Sequence, residues 1–271
     1  MARKMAAWLA FGMCLAVLAG CATMPPAPAK DLNPLLRSGE RVQKVNNFEV
    51  ILDSSASMTG PQGWMEACSG HTMPLTMQPS RVMSTTKRDH EISLAMLFND
   101  TIPGMKLTAG LRDFAGEKWM GRNVETTLWY GMAPWAKQDF NKAVQAVGTY
   151  GVESPLDKAL DAATEDLKPL AGRSAVVVFS DGLDMPGAPA SAHAMKAALG
   201  DNVCIYAVQI GSEPAGRELL GEVVKAGACG ALVNARDVES AEGMAGFVEK
   251  VFLGPAAATA ARPAPAAPPA P

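Results

Sequence analysis

Short apolar runs alternate with helical stretches through the middle of this chain, and this alternation restricts the fold more than any other feature. Strands are predicted at 47–53, 105–114, 124–130, 175–180, 203–210 and 231–234, and helices at 87–99, 137–147, 155–167, 190–199, 216–225 and 238–252. Such alternation is typical of a mostly parallel sheet that is covered by helices on both faces. We therefore predict an α/β fold built on a doubly wound, mostly parallel sheet, with one antiparallel strand at its edge.

The amino terminus has the pattern of an export signal. Arg3 and Lys4 precede an apolar run at 5–19, which is shorter than the roughly 20 residues that a membrane-spanning helix needs. The run ends in the letters LAGC, which resemble the lipobox of bacterial lipoproteins, where the cysteine is acylated and becomes the mature amino terminus. This resemblance implies a lipid on Cys21, and Ala22 after it favours the outer membrane. A buried amino-terminal helix is the alternative interpretation.

Proline-rich segments on both sides delimit one globular region. The last eighteen residues hold six prolines and nine alanines, a composition that cannot bury a core. We divide the chain into a lipoprotein signal peptide at 1–20, a tether at 21–44, one domain at 45–253 and a Pro/Ala-rich tail at 254–271. The formal net charge of −3 gives no basic face, so no nucleic-acid partner is expected.

Five oxygen-bearing side chains follow the predicted strands or begin a helix at the same edge of the sheet. Asp53, Ser55 and Ser57 alternate directly after the first strand, and Asp181 follows the strand at 175–180. Ser154 precedes Pro155 at a predicted helix start. Ligands of open α/β sheets bind beyond the carboxyl ends of the strands, so we expect these five groups to converge. Two carboxylates and three hydroxyls suit Mg²⁺, Mn²⁺ or Ca²⁺ and do not suit zinc.

These residues resemble the metal-ion-dependent adhesion site of von Willebrand factor type A domains. The pattern is D-x-S-x-S after a buried strand, a later hydroxyl residue and a later aspartate, and it is matched by DSSAS, SPLDKAL and VVVFSDG in this order. The resemblance covers about 45–253. It implies one divalent cation, with Mg²⁺ favoured, among Asp53, Ser55, Ser57, Ser154 and Asp181. The usual threonine of the family is Ser154 here, which keeps the hydroxyl but lacks a β-branched side chain.

The same resemblance implies a function in binding. Hydroxyls that contact the cation directly, with carboxylates that act largely through water, leave it most of its positive charge and one open coordination position. A partner protein would fill that position with an acidic side chain. The predicted protein is therefore a membrane-anchored envelope lipoprotein that binds a protein ligand through a divalent cation.

Other interpretations of the same residues remain open. The serines can be turn or cap residues, Ser154 an N-cap, and Asp181-Gly182 a turn pair. A scaffold that uses the fold without metal is the alternative function. A hydrolase is disfavoured, because Ser55 stands where a haloacid dehalogenase phosphatase needs its second aspartate, and no nucleophile elbow or phosphate-binding glycine motif occurs. We predict that the protein is not an enzyme.

The remaining cysteines and one long irregular segment complete the expectations. In the fold that the resemblance implies, the strands next to Cys204 and Cys229 are neighbours at one edge, and export implies an oxidising compartment. A disulfide between them is therefore predicted, with Cys68 left over. The segment 60–86 follows the first site loop and is expected either to shape partner selection or to pack as a surface insertion.

Overall fold

The computed structural model describes residues 28–59, 86–117, 124–148 and 151–256. The signal peptide, Cys21, Cys68 with nearly all of the long segment, and the tail from 257 onward lie outside these residues, so what was expected of them stays a prediction. In the described part of the chain, no helix has both the length and the apolar character needed to span a bilayer.

The order of helices and strands follows the alternation seen in the sequence. The strands are β1 (Arg41–Gln43), β2 (Asn47–Asp53), β3 (Thr108–Glu117), β4 (Val124–Pro134), β5 (Ser174–Ser180), β6 (Val203–Gln209), β7 (Leu232–Asn234) and β8 (Leu253–Pro255). The α-helices are α1 (Asn33–Arg37), α2 (Lys87–Thr101), α3 (Lys137–Ala146), α4 (Leu156–Leu167), α5 (Ala188–Leu199), α6 (Pro214–Ala226), α7 (Ala235–Val238) and α8 (Ala241–Phe252). Two short 3₁₀ turns lie at Ala56–Thr59 and Gly200–Asn202.

Six of these strands form the central sheet, in the order β4-β3-β2-β5-β6-β7. All neighbours are parallel except β3 and β4, which pair antiparallel at one edge. The predicted fold class, a doubly wound and mostly parallel sheet with one antiparallel edge strand, is confirmed.

Helices cover both faces of the sheet, because successive side chains of the central strands point to opposite sides. On β5, Val177 and Phe179 pack in one apolar cluster with residues of α2, α3 and α8. Val176 and Val178 pack in the other cluster, with residues of α4, α5 and α6. The first cluster is centred on phenylalanines in mutual ring contact, such as Phe48 with Phe252 at 5.3 Å between ring centroids. A strand buried on both faces reads as a continuous apolar run, as β5 does.

The ordered domain extends beyond the predicted limits. The segment assigned to the tether folds from Leu32 onward: Leu32 is buried, α1 follows, and β1 pairs antiparallel with β8 at the other end of the domain. Arg41 lies opposite Pro255 in this pair. A three-residue strand has no periodicity that a sequence could reveal, and its pairing joins positions more than 200 residues apart.

The predicted disulfide is present. Cys204 on β6 and Cys229, just before β7, are bonded with their Cα atoms 4.9 Å apart. Closing a loop of this length stabilises a fold by about 3 kcal/mol on the chain-entropy model. The bond therefore fixes β7 and its preceding turn to the edge of the parallel sheet.

A charged cluster is buried near the middle of the sheet. Glu49 on β2 accepts a hydrogen bond from Nε of Arg112 on β3 at 3.1 Å, and the same guanidinium donates to Asp166 of α4 and to the hydroxyl of Thr126 on β4. Among the described residues, Oε2 of Glu49 has no hydrogen-bond partner. Burial raises the pKa of Glu49 to about 7, although Arg112 opposes the shift.

Glu49→Gln should make the domain less sensitive to pH. A carboxyl whose folded pKa is raised stabilises the fold at low pH and loses that contribution as pH rises through about 7. The wild-type free energy of unfolding should therefore fall between about pH 5 and 7, and the variant should be more stable than wild type by about 2 kcal/mol at pH 8 but not at pH 5. Urea unfolding at both values tests this, with Glu165→Gln on the exposed face of α4 as the control. Parallel stability curves for Glu49→Gln and wild type would contradict it.

Candidate functional site

Asp53 and Asp181 lie side by side at the carboxyl edge of the sheet. The two strands that precede them are hydrogen-bonded in parallel register, with Leu52 of β2 opposite Phe179 of β5. Both carboxylates are fully buried. Ser180 joins the two loops, because its hydroxyl donates to Oδ2 of Asp53 at 2.6 Å and accepts from the backbone N–H of Gly182 at 2.9 Å.

The loop after β2 brings its two alternate serines together. The backbone N–H of Ser55 donates to Oδ1 of Asp53 at 2.9 Å, which turns the chain at the strand end. The hydroxyl oxygens of Ser55 and Ser57 are then 3.0 Å apart. The structure thus brings the hydroxyls of Ser55 and Ser57 together on the loop whose turn Asp53 holds.

Ser154 lies on a segment that is tied to this loop. Gly151 forms a bridge with Ser55, its backbone N–H donating to Ser54 O at 3.4 Å, and Glu153 forms a bridge with Gly116 of β3. Ser154 does not cap α4, which excludes the alternative interpretation of this serine as an N-cap: the helix begins at Leu156, Pro155 stands at the cap position, and no side-chain cap hydrogen bond forms.

A cleft of about 390 Å³ opens beside this segment. It is lined on one side by residues 152–155 and Asp157, and on the other by residues 184–187. Val152 at its rim is 86% exposed, which is unusual for a large apolar side chain in this domain. The cleft therefore gives a ligand access to the edge on which Ser154 lies.

The electrostatics of the aspartate pair favour a cation. Burial, together with the negative charge of Asp181, raises the pKa of Asp53 to about 6. Two buried carboxylates that repel each other are stabilised by any positive charge placed between or beside them. Carboxylates and hydroxyls are the oxygen ligands that a hard divalent cation prefers. The described residues contain no group of three or more His, Cys, Asp or Glu side chains arranged to hold a metal, so the serine hydroxyls are needed to complete the set.

Two buried charged residues of α2 support the backbone at Asp53. Glu91 accepts from the backbone N–H of Asp53 at 2.7 Å, and Arg88 donates to the carbonyl of Asp53 at 3.0 Å. Arg88 also pairs with Glu91 and donates to Val147 O at 2.9 Å. Burial raises the pKa of Glu91 to about 8, against the influence of Arg88. These contacts hold both peptide groups of Asp53 and so fix where its side chain begins.

Lys87 and Glu213 place a second ion pair against Asp181. The ammonium of Lys87 lies 3.0 Å from Oδ2 of Asp181 and 2.5 Å from Oε1 of Glu213. Burial alone would lower the pKa of Lys87, but the hydrogen bonds to Glu213 and Asp181 outweigh it and the pKa is raised. The other carboxylate oxygen of Asp181 accepts from the backbone N–H of Leu183 at 3.0 Å.

The loop at Asp181 also packs directly on the first turn of α6. Gly182 has a φ of +80°, which favours glycine. A Cβ on Gly216 would lie 1.9 Å from the carbonyl oxygen of Asp181. The helix and the loop therefore approach at backbone distance, and α6 determines where Asp181 stands.

The four charged supports were not found from the sequence. The sequence pattern of 87–99 indicates a helix with an apolar face. In that pattern, Lys87, Arg88 and Glu91 look like ordinary polar positions. The one available signal was their spacing, since residues three and four apart share a helix face. Glu213 lies just before a helix that was predicted to start at residue 216, and nothing in its neighbours indicates contact with Asp181.

No protein-family model and no curated protein matches this sequence. Solved structures do resemble it. The structure of conserved hypothetical protein BatB from Bacteroides thetaiotaomicron has a TM-score of 0.50 at 14% identity, with 75% of this chain and 99% of that chain covered. A von Willebrand factor type A structure from Catenulispora acidiphila has a TM-score of 0.48 at 12% identity, with 78% and 46% covered. Proximal thread matrix protein 1 from the mussel byssus, with a zinc-occupied MIDAS motif, has 0.49 at 13%, with 82% and 52% covered. Identities this low concern the fold alone.

Proposed function

We propose that this protein, whose described part has the fold of a von Willebrand factor type A domain, binds a protein ligand through a divalent cation. The observation that carries the proposal is the buried pair Asp53 and Asp181, with the Ser55 and Ser57 hydroxyls converging beside it. Those four residues and Ser154 would hold the cation. The cation would supply an electrophilic coordination position for an acidic side chain of the partner.

Each residue has a distinct part in this proposal. Ser55 and Ser57 offer neutral oxygens, which leave the positive charge of a cation largely uncompensated. Asp53 and Asp181 supply the negative charge that attracts it, and their burial makes that attraction stronger than it would be in water. Ser154 lines the cleft, and a ligand that enters the cleft would reach it. Mg²⁺ suits this donor set best, with Mn²⁺ or Ca²⁺ as alternatives.

The proposed location is the cell envelope, with the outer membrane as the anchoring surface. Its support is the sequence alone: the basic head, the apolar run and the LAGC letters that end at Cys21. A lipid at that position would keep the domain at the membrane while leaving its ligand site in water. The proposal involves binding and no chemical turnover.

Capture of the partner from envelope extracts tests the function. The full chain in detergent should retain a protein in the presence of Mg²⁺ and release it on addition of a chelator. Asp53→Ala should retain nothing, whereas Asp201→Ala should behave as wild type, because Asp201 is fully exposed at the opposite edge of the sheet. Capture that persists with chelator and with Asp53→Ala would instead support the metal-independent scaffold.

A further inference from the structure

The buried lysine beside Asp181 carries a consequence for the strength of cation binding. Lys87 is the first residue of α2, and its ammonium bridges Asp181 and Glu213 at hydrogen-bond distance. Lysines are seldom this buried unless paired, and an ammonium here occupies one lone-pair direction of a carboxylate that the proposed cation also needs.

The local structure holds this lysine in place. Thr86 caps α2 through a capping box with Asp89, which fixes the helix start at Lys87. On the other side, Oε2 of Glu213 accepts from the backbone N–H of Ser212 at 3.0 Å. A Cβ on Gly211 would lie 2.5 Å from that oxygen and 3.3 Å from Cε of Lys87. The pair is therefore packed between backbone segments and does not have the freedom of a surface ion pair.

We propose that Lys87 is an internal cation that competes with the divalent cation for Asp181, and that Glu213 sets how strongly it does so. This rests on the proposed function. Two positive charges at one carboxylate repel each other, and the repulsion is large where water is excluded. The negative charge of Glu213 offsets the positive charge of Lys87, so the cation is repelled only by what remains of the Lys87 charge after this compensation. The pair thereby tunes the affinity without touching the ligand.

The proposal predicts changes of opposite sign in two neighbouring residues. Lys87→Met removes the competing charge and should tighten Mg²⁺ binding by about tenfold or more. Glu213→Gln keeps the shape and a hydrogen bond but leaves Lys87 uncompensated, so it should weaken binding by about tenfold. Loosening of the structure would weaken binding in both variants, so the opposite signs separate an electrostatic role from a merely structural one.

Calorimetric titration of MgCl₂ into the full chain in detergent tests this, with circular dichroism to show that each variant is folded. Lys87→Gln serves as a second neutral variant in case Lys87→Met does not fold, and Lys142→Met removes a lysine from an exposed surface ion pair as the control. Tighter binding in the neutral Lys87 variants and weaker binding in Glu213→Gln support the proposal, as does binding that is detected only after Lys87 is neutralised. If Mg²⁺ binding in the Lys87 variants is equal to or weaker than in the wild type, the proposal about Lys87 is overturned and the proposed function stands. No binding in any variant overturns the proposed function as well.

Discussion

Asp53→Ala should abolish the stabilisation of the domain by Mg²⁺. In the wild-type protein, a cation at one hundred times its dissociation constant adds about 2.7 kcal/mol to the free energy of unfolding. For a domain of this size, that corresponds to a rise of about 5–10 °C in the unfolding midpoint. The variant keeps Asp181 but loses one of the two buried carboxylates, and its midpoint should not respond to Mg²⁺. Thermal unfolding with and without MgCl₂ at pH 8 measures the difference.

The metal-free stability of the same variant should change little. The pKa of Asp53 is raised to about 6, so the stabilising contribution of its protonated form is lost as pH rises through that value. At pH 8 the side chain is ionised, and its removal relieves repulsion with Asp181. The loss of acceptors for Ser55 N–H and Ser180 Oγ opposes this gain by about 1–3 kcal/mol for each group left unsatisfied. Asp53→Asn keeps an acceptor and serves as the companion variant. A midpoint that still rises with Mg²⁺ in both variants would refute the assignment of Asp53 to the site.

Gly216→Ala should destabilise the domain although alanine is the better helix former. A Cβ at this position would lie 1.9 Å from the backbone carbonyl of Asp181, so α6 or the site loop must shift. Overpacking of this kind costs about 1–3 kcal/mol, which exceeds the gain of about 1 kcal/mol from helix propensity. Since Asp181 moves with its backbone, Mg²⁺ binding should weaken as well.

Gly221→Ala on the same helix provides the matched control. Its Cβ would meet only Cδ2 of Leu232, at an ordinary contact distance of 3.9 Å. This variant should gain about 0.5–1 kcal/mol and bind Mg²⁺ as wild type does. Urea unfolding of the two variants compares the same substitution in the same helix. Equal stabilities would show that the close approach at Gly216 is relaxed without cost.

The sequence revealed the parts of the site that follow strands. Asp53 and Asp181 end apolar runs, and parallel strands bring their carboxyl ends to one edge, so the two residues could be placed without coordinates. The disulfide could be placed in the same way, once the order of β6 and β7 was assumed. Ser154 was assigned to the same edge, and the bridge between Ser55 and Gly151, three residues before Ser154, ties its segment to the loop after β2. The alternative role of Ser154 as an N-cap is excluded.

The charged supports could not be found in this way, because they depend on how helices pack. Whether Lys87 lies in solvent or against Asp181 is decided by the rotation of α2 and by the position of α6, which brings Glu213 within reach. Pattern in a sequence reports which face of a helix is apolar, and says nothing about which polar residue at its end meets a buried carboxylate. The pairing of β1 with β8 could not be predicted for a different reason, since three-residue strands show no periodicity and their partners lie far apart in the sequence.

The pairing of β1 with β8 gives the domain a direction. The first strand of the domain, β1, and its last, β8, lie side by side next to the start of β3, where Gln43 donates to Lys106 O. That is the amino edge of the sheet, and Asp53 stands one strand length away, about 20 Å, at the opposite edge. With the proposed lipid on Cys21, the amino edge of the sheet would face the membrane. The proposed cation site would then lie on the side of the domain that is turned away from the bilayer.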